Sequence, residues 1–321
     1  MYFHFVSKNE NYPIGGKDYP RTLQEFDDWF STEDKCLHFL KHLRWANGFL
    51  CPECGNDTGW QKKSGLIRCR NCRNDISVLH GTTFHKTRKP IKLWFQAMWF
   101  VTSQKFGGSA LGLQRILGLG SYRTAWSWLH KMRHAMVRPD RDLLNGIVEV
   151  DETMIGGESH GGKRGRGAEK KYIIVIAIET FDPKGFGRVR MKQIQSADSE
   201  NLQSFINDNV KKGTQIRTDS WKGYAAVESN GYIHKKINIS QSGDPAHVSM
   251  PGVHRIASLL KRWLLGTHQG SVSSKHMEYF LDEYTFRFNR RKSKSRGMLF
   301  YRLLQQAVKI QAVTYRELAD G

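Results

Sequence analysis

Alternating apolar and polar residues mark a series of strands in the second half of the chain. Residues 147–157 place Val148, Val150 and Ile155 between polar side chains, and this period of two favours a strand over a helix. The order of elements further along the chain predicts four more strands, at 172–179, 188–194, 215–218 and 232–237. Helical spacing at 200–211 predicts an amphipathic helix between the third and fourth strands. These elements predict a mixed sheet flanked by helices.

Helical spacing dominates the first part of the chain. Aromatic and leucine residues predict a helical segment at 1–46. Between 82 and 138, a helix after Pro90, a short helix ended by glycines and a basic third helix follow the helix-turn-helix plan, whose last helix enters the major groove of DNA. We expect Arg123, Lys131 and Arg133 of the third helix to contact DNA, although a basic helix face is more often simply solvated.

Four of the five cysteines form two close pairs. Cys51 and Cys54 lie in one Cys-x-x-Cys knuckle, and Cys69 and Cys72 lie in a second, with one hairpin's length of chain between them. Two such knuckles supply the four thiolates of a tetrahedral zinc site, so the sequence predicts a zinc ribbon at 47–80. A redox-active dithiol is the alternative, but no βαβ pattern surrounds these cysteines. Because all four ligands come from the protein, this zinc would stabilise the fold and do no chemistry.

The charge of the chain predicts a polyanionic partner. Among 321 residues, 50 Lys and Arg stand against 30 Asp and Glu, which gives a net charge of +20. Double-stranded DNA fits this excess best, and a membrane surface is the competing interpretation. No apolar run approaches the roughly 18 residues of a spanning helix, and the first residues lack the order of a signal peptide. We therefore expect a cytoplasmic, nucleoid-associated protein with no membrane partner.

Together these patterns predict an α+β, multidomain chain. The order of strands and helices in the second half is the one expected of a ribonuclease H-like fold. The glycine-rich loop at 156–167 lacks the spacing of a phosphate-binding loop. The predicted domains in chain order are an N-terminal helical segment (1–46), a zinc ribbon (47–80), a helix-turn-helix DNA-binding region (82–138), a ribonuclease H-like catalytic domain (146–299) and a C-terminal helix used for packing or dimer contact (300–321).

Two aspartates are predicted to meet at one edge of the sheet. Asp151 lies in mid-strand, Asp219 lies at the C-terminal end of another strand, and these two strands are expected to be neighbours. Carboxylates that close repel each other unless a divalent cation sits between them. Mg²⁺ favours a few carboxylates together with water and phosphate oxygens. A solvated edge strand with its acids in water is the plainer alternative for an isolated aspartate.

A helix predicted at 252–265 brings a third group to the same place. His254 and Lys261 are seven residues apart, two helical turns, so their side chains share one face. Such a helix would place an imidazole at the metal ions and an ammonium beside a DNA phosphate. A lone histidine is more often structural or solvated, but the paired position of Lys261 favours a functional role.

Four motifs in one order resemble a known family. The chain contains Val-Glu-Val-Asp-Glu-Thr-Met-Ile-Gly-Gly, Thr-Asp-Ser-Trp-Lys-Gly-Tyr, Ser-Leu-Leu-Lys-Arg-Trp-Leu-Leu-Gly-Thr-His and Tyr-Phe-Leu-Asp-Glu-Tyr-Thr-Phe-Arg-Phe-Asn-Arg-Arg. It resembles the DDE-type transposases of bacterial insertion sequences, most closely the zinc-ribbon-bearing insertion sequence 1595 family, from Cys51 to about Arg291. The resemblance implies Asp151 and Asp219 as the first two metal ligands and Lys261 as the trailing basic residue.

One position departs from the pattern of the superfamily. Seven residues before Lys261, where a glutamate is common, this chain has His254. The resemblance allows for subgroups with Asn or His there, so we expect His254 to be the third ligand, although its nitrogen suits Mn²⁺ or a transition metal better than Mg²⁺. Rival candidates for the third acid are Asp244, Glu278 and Glu283. The last two lie among basic and aromatic residues, where an ion pair is the plainer account.

The resemblance implies a transposase that cleaves the ends of an insertion sequence and joins the 3′-hydroxyl to target DNA. Two divalent ions, Mg²⁺ or Mn²⁺, would activate water and then the freed hydroxyl. Lys261 would hold a phosphate with help from Lys222 and Arg262, and a homo-oligomer on DNA is expected. Because His254 replaces a glutamate, a non-catalytic DNA-binding protein derived from a transposase is the main alternative. A structure-selective nuclease of the same fold would need neither the ribbon nor the helix-turn-helix.

A basic patch follows the last motif, with Phe286 and Phe288 interleaved. Its members are Arg287, Arg290, Arg291, Lys292, Lys294 and Arg296. We expect this patch to bind the DNA backbone, and a solvated helix end is the alternative. The triplet Asn289-Arg290-Arg291 also matches the family.

Overall fold

The computed structural model describes residues 12–138, 140–156, 172–181, 183–238, 245–269 and 272–320. Asp244 and nearly all of the glycine-rich loop lie outside these residues. The chain divides into two compact units: the first is Met1–Ala135 with Ser293–Val313, and the second is Met136–Lys292 with Thr314–Gly321.

Helices predominate at the two ends of the chain, and the longer strands lie between them. In chain order, the elements of the described residues are α1 (Leu23–Trp29), α2 (Glu33–Arg44), β1 (Gly59–Gln61), β2 (Ile67–Cys69), β3 (Asp75–Ile76), α3 (Ile91–Ser103), α4 (Ala110–Leu117), α5 (Tyr122–Ala135), β4 (Ile147–Ile155), β5 (Tyr172–Thr180), β6 (Phe186–Ile194), α6 (Ser199–Asn209), β7 (Gln215–Thr218), β8 (Ile233–Lys236), α7 (Ala246–Ser249), α8 (Pro251–His268), α9 (Met277–Asn289), α10 (Arg296–Ala307) and α11 (Tyr315–Asp320). In this part of the chain, no helix combines the length and the apolar character needed to cross a membrane.

The first unit is built around an aromatic core. Thr32 starts α2, because its side chain accepts a hydrogen bond from a backbone N–H group in the first turn. The rings of Phe30 and Phe95 have centroids 4.8 Å apart, and those of Phe26 and Phe300 are 5.4 Å apart. Phe300 on α10 is fully buried. A helix near the end of the chain therefore completes the core of the N-terminal unit.

Three helices occupy the region for which a helix-turn-helix is predicted. The side chain of Ser109 caps α4 by accepting from Gly112 N at 3.0 Å, and Gly118 ends α4 with a φ of 59°. That left-handed conformation favours glycine, which explains the sharp turn before α5. Trp94 on α3 stacks on Trp128 on α5, with ring centroids 3.9 Å apart.

The second unit contains a five-stranded sheet with the strand order β6-β5-β4-β7-β8. β4, β5 and β6 form an antiparallel meander, whereas β7 runs parallel to β4 and β8 runs parallel to β7. The crossover between β6 and β7 contains α6. The predicted fold class is therefore confirmed: this is a mixed sheet flanked by helices with the ribonuclease H-like order of elements.

The two faces of the sheet pack against different helices. Val148 and Val150 of β4 point into the core that the sheet forms with α6. The core on the other side contains Ile256 of α8. Because successive side chains of a strand point to opposite faces, Glu149 and Asp151 face α8.

α9 covers the free edge of β6. The side-chain amide of Asn289 binds both backbone groups of Val189: Oδ1 accepts from N at 2.8 Å, and Nδ2 donates to O at 3.1 Å. Towards the other end of α9, Glu278 Oε1 accepts from Gln193 N at 2.6 Å. Unpaired strand edges are open to pairing with other chains, so these side chains protect the sheet.

The segment 300–321 contains the larger part of α10 and all of α11. α10 belongs to the first unit, whereas α11 belongs to the second. α11 is held there by two hydrogen bonds to its backbone: the Lys275 ammonium donates to Ala319 O at 2.8 Å, and His276 Nε2 lies 3.0 Å from Leu318 O.

Candidate functional site

The four cysteines predicted to bind zinc converge in the first unit. The Sγ atoms of Cys51 and Cys72 are 3.7 Å apart, and those of Cys54 and Cys69 are 3.6 Å apart. All four sulfurs lie within 4.8 Å of one another. Four sulfurs bonded at about 2.3 Å to one tetrahedral ion lie roughly 3.8 Å from each other. The cluster therefore fits a structural Zn²⁺.

The electrostatics of the cysteine cluster favour a cation. A hydrogen bond from the backbone of Asn56 lowers the pKa of the Cys54 thiol to about 6. The Asn74 backbone lowers the pKa of Cys72, but burial and the three neighbouring sulfurs outweigh this effect and raise that pKa to about 12. Thiolates this close repel one another, and a zinc ion removes the repulsion.

The two predicted catalytic aspartates lie on β4 and just after β7, which are neighbouring parallel strands. β4 and β7 pair with Glu149 opposite Arg217. Asp151 follows Glu149 by two residues and Asp219 follows Arg217 by two residues, so both aspartates lie just beyond the paired part of these two strands. Asp219 Oδ1 accepts a hydrogen bond from Trp221 N at 3.0 Å, which orients its carboxylate at the end of β7.

His254 lies in the first two turns of α8 and faces Asp151. Its Nε2 is 3.9 Å from Asp151 Oδ2, and the two side chains are 33% and 20% exposed. Two donor atoms that share one Mg²⁺ at about 2.1 Å each can lie up to roughly 4.2 Å apart, so this pair can share an ion. Among the described residues, the cysteine cluster is the only group of three or more His, Cys, Asp or Glu whose ligand atoms lie within 4.8 Å of one another. The ligand atoms of Asp151, Asp219 and His254 therefore do not all lie within 4.8 Å of one another.

A buried carboxylate that the sequence prediction missed ties α8 to β4. Glu149 is 1% exposed, and its Oε2 accepts from Gly252 N at 2.7 Å and from Val253 N at 3.1 Å. Burial raises the pKa of Glu149 above its ordinary value, against the opposing effects of these two hydrogen bonds and of the Arg217 charge. The signal in the sequence was the period of two, which puts Glu149 on the same strand face as Asp151.

A second missed contact joins the strand of Asp151 to the turn after Asp219. Tyr224 lies in the 3₁₀ turn Lys222–Tyr224 and is 1% exposed, and its hydroxyl donates to Glu152 Oε2 at 2.9 Å. Burial first, and then the charges of Glu152, Asp151 and Asp219, raise the pKa of Tyr224 well above its usual range. The hydroxyl therefore stays protonated and serves as a donor. In the sequence analysis Tyr224 appears only as the last residue of the motif Thr-Asp-Ser-Trp-Lys-Gly-Tyr.

Two family models match the chain. Residues 143–289 match the ISXO2-like transposase domain, and residues 31–75 match the transposase zinc-ribbon domain. The chain belongs to the insertion sequence 1595 family of transposases. The predicted family is therefore confirmed.

Two relatives and one solved structure are similar to this transposase. A protein in the transposable element ISH50 of Halobacterium salinarum is 23% identical over 280 residues, covering 80% of this chain and 91% of that protein. A transposase-like protein of Haemophilus influenzae is 26% identical over 112 residues, covering 35% of this chain and 89% of that protein. The crystal structure of the catalytic core domain of BIV integrase is 18% identical with a TM-score of 0.32, covering 48% of this chain and 90% of its own.

Three of the cations that are predicted to contact a phosphate are exposed in this transposase. Lys261 and Arg262 are exposed on α8, and Lys222 is exposed three residues after Asp219. Lys261 lies on the helix face of His254, as the spacing of seven residues predicts. These three side chains are accessible to a phosphate.

The other cations predicted to contact DNA differ in exposure. On α5, Arg123 is exposed and Lys131 is half-buried, but Arg133 is only 3% exposed. The side chain of Arg287 is 11% exposed and pairs with the buried Glu283, with Nη2 2.8 Å from Oε1. Side chains this buried cannot reach a DNA phosphate, so Arg133 and Arg287 do not enter the surface proposed below. The same ion pair accounts for Glu283 without a catalytic role.

Arg290 and Arg291 stack on aromatic rings of α9. Their guanidinium carbons lie 4.0 Å from the ring centre of Phe286 and 3.9 Å from that of Phe288, respectively. Arg291 also donates to Gly187 O at 3.1 Å, next to the start of β6. Both arginines thus contribute to packing, and the exposed surface of Arg291 is what remains for DNA.

Proposed function

We propose that this transposase cleaves the ends of its element and joins the freed 3′-hydroxyl to target DNA by two-metal phosphoryl transfer. Asp151, Asp219 and His254 would hold the two divalent ions, Mg²⁺ or Mn²⁺. The observation that supports this most is the 3.9 Å distance between Asp151 Oδ2 and His254 Nε2, together with the parallel register of β4 and β7 that leads to Asp219.

The donor set leaves room for substrate. Two carboxylates and one imidazole fill only part of the coordination of two ions, so water and phosphate oxygens can occupy the other positions. When bound, the ions supply a nucleophile of lowered pKa and neutralise charge on the leaving oxygen. A neutral imidazole gives the site one negative charge fewer than a third carboxylate would, and its nitrogen favours Mn²⁺ over Mg²⁺.

The exposed cations would hold the DNA backbone beside the ions. Lys261 would act as a point charge on the phosphate at the cleaved bond, and Lys222 and Arg262 would bind the flanking phosphates. All three are exposed; Lys261 and Arg262 lie on the helix that carries His254, and Lys222 lies three residues after Asp219. A lysine suits the central role because its ammonium can follow a phosphate whose geometry changes during the reaction.

DNA binding away from the aspartates would rest on the first unit. Arg123 and Lys131 on α5 and the exposed ribbon cations Lys63, Arg70 and Arg73 would bind phosphates or groove edges. The net charge of +20 supports such a surface. We further propose that several protomers assemble on the two ends of an element, and that the protein acts at the nucleoid in the cytoplasm.

A non-catalytic DNA-binding protein is the second candidate. It is favoured by one observation, the histidine at position 254 where a carboxylate would bind divalent ions more strongly. In that case the ribbon and α5 would still bind DNA, while the aspartates would do no chemistry.

A strand-transfer assay with labelled element ends, in Mg²⁺ and in Mn²⁺, separates the two candidates. We expect product with the wild type and a loss of at least about 1,000-fold in cleavage rate for Asp151→Asn, because the substitution removes a charged ligand. Asp208→Asn is the matched control, since Asp208 lies on α6 with a side chain that is 62% exposed and 3.9 Å from Lys192.

Binding of the element ends, measured by mobility shift, should be unchanged in both variants. Failure of the wild type to form product with either metal, with end binding intact, would favour the binding protein. Equal rates for the wild type and Asp151→Asn would remove Asp151 from the chemistry.

A further inference from the structure

Glu149 is a charged residue in an unusual place. It lies on β4 two residues before Asp151 and on the same face, and it is 1% exposed. A carboxylate buried this deeply is costly unless hydrogen bonds compensate for the lost water. Both compensating bonds come from one helix end: Oε2 accepts from Gly252 N at 2.7 Å and from Val253 N at 3.1 Å.

α8 lacks a cap from its own segment. Its N-cap residue, Met250, offers no side-chain hydrogen bond, and Pro251 has no N–H group at all. The first turn of any helix leaves N–H groups without intrahelical partners and carries the positive end of the helix dipole. Glu149, which lies on a different element of the fold, accepts hydrogen bonds from these N–H groups and places a negative charge at the positive end of the helix dipole. The cap therefore also attaches α8 to the strand that carries Asp151.

Gly252 makes this attachment possible because it has no side chain. A Cβ atom at this position would lie 2.7 Å from Glu149 Oε2, 3.0 Å from Ile178 Cγ2 and 3.1 Å from Thr180 Cγ2. Real Cβ atoms essentially never come within 3.0 Å of a heavy atom. Any larger residue would displace the Glu149 carboxylate or push the start of α8 away from the sheet. Gly252 and Glu149 thus form one close contact between helix and strand.

We propose that Glu149 is a positioning residue of the DNA-cleavage site, which acts through the first turn of α8 to set His254 against Asp151. His254 is the next residue after Val253, whose N–H group Glu149 binds. The direction of α8 also sets where Lys261 stands, two turns further along. The inference rests on the proposed function, because it assigns His254 and Lys261 to the same reaction.

The expected effect is on rate and not on DNA affinity. Lys222, Arg123 and the ribbon do not depend on α8, so an element end should still bind when the start of α8 shifts. A misplacement of about 1 Å in a reacting group can reduce a rate by roughly 100-fold. Loss of the Glu149 carboxylate should therefore lower the cleavage rate and leave the dissociation constant for DNA nearly unchanged.

Four variants test the inference in single-turnover cleavage with saturating DNA. Glu149→Ala removes the acceptor, Glu149→Gln keeps an acceptor oxygen, and Gly252→Ala keeps the carboxylate but disrupts its contact with the start of α8. Gly266→Ala is the matched control on the same helix, because a Cβ there would meet nothing within 4 Å. Hydrogen–deuterium exchange at the start of α8 reports directly on the amides of Gly252 and Val253.

We expect Glu149→Ala and Gly252→Ala to be slowed about 100-fold with the dissociation constant for DNA within threefold, and Glu149→Gln to recover most of the rate. Gly266→Ala should behave as the wild type. Amide exchange at 252–253 should be slow in the wild type and in Glu149→Gln, and fast in Glu149→Ala.

Three results would overturn the inference. They are rates within threefold of the wild type for both Glu149→Ala and Gly252→Ala, loss of DNA affinity in proportion to the loss of rate, and equal amide exchange in Glu149→Ala and the wild type. If Glu149→Ala does not fold, the comparison of Glu149→Gln with Gly252→Ala decides the question. An inactive wild type would count against the proposed function, while the exchange measurement would still test the contact between Glu149 and α8.

Discussion

The zinc ribbon and the aspartate site are both suited to metal ions, but they are built in opposite ways. The four cysteines lie between residues 51 and 72, and two knuckles and one hairpin bring their sulfurs together. Asp151, Asp219 and His254 lie on β4, just after β7 and on α8, so the proposed site depends on strand pairing and helix docking. The structure of the ribbon depends on its ligands. The geometry of the aspartate site depends as much on the residues that hold its strands and helix in place as on the ligands themselves.

The two sites also differ in whether a substrate can reach the metal ion. In the ribbon, four protein ligands complete a tetrahedron and leave no position for a substrate. At the sheet edge, Asp151 and His254 are partly exposed, and water and phosphate can complete the coordination. Loss of one ligand should therefore unfold the first site and silence the second, and loss of a supporting contact should matter only at the second.

The largest effect is expected from Cys69→Ser. Structural zinc supplies about 10–16 kcal/mol of binding energy in small zinc domains, so a ribbon with three thiolates should lose its metal and its fold. We expect the zinc content, measured by atomic emission, to fall from one ion per chain to none, and protease cleavage to appear between residues 47 and 80. The unfolding transition of the sheet-containing unit should persist.

Cys36→Ala is the matched control, because Cys36 is fully buried in the same unit but lies outside the cluster. It should keep its zinc. Acid should mimic Cys69→Ser, because zinc binds thiolates and protons compete with zinc for the four sulfurs as the pH falls. A Cys69→Ser protein with one zinc ion per chain would contradict the four-thiolate site.

A smaller effect is expected from Tyr224→Phe. The substitution removes only the hydroxyl that donates to Glu152 Oε2 at 2.9 Å. A hydrogen bond to a charged group contributes about 1.5 kcal/mol or more, so loosening the turn that follows Asp219 should slow DNA cleavage by roughly tenfold. The measurement is the single-turnover rate at saturating DNA, with zinc content unchanged.

Tyr232→Phe is the control for this prediction. Tyr232 belongs to the same apolar core and is 3% exposed, but its hydroxyl bonds Asn207 Oδ1 at 3.0 Å, away from the aspartates. It should lose stability without a comparable loss of rate. Equal rate losses in the two variants would mean that the hydroxyl of Tyr224 serves the fold alone.

The contrast also explains how much the sequence could predict. The ribbon ligands follow from local spacing, and the alternating residues of β4 together with the strand order lead to Asp151 and Asp219. The role of Glu149 could not be read in this way, because it depends on which helix end docks on the strand. The burial of Arg133 was missed for a similar reason: it occupies the inner side of α5, and helical spacing does not show which neighbours pack there.

The smallest effect on DNA concerns Asn289, in the triplet that adjoins the predicted DNA-binding patch. Its amide makes two hydrogen bonds with the backbone of Val189, at 2.8 Å and 3.1 Å, and thereby closes the free edge of β6. Asn289→Ala should lower the free energy of unfolding by about 1–3 kcal/mol, the range for two such bonds, in urea denaturation. DNA affinity should stay within twofold.

The exposed Lys292 of the same patch offers the matched comparison, since Lys292→Ala should leave the stability unchanged and weaken DNA binding most at low salt. If Asn289→Ala instead weakened DNA binding and left stability intact, the triplet would belong to the DNA surface, and the edge of β6 would need no such protection.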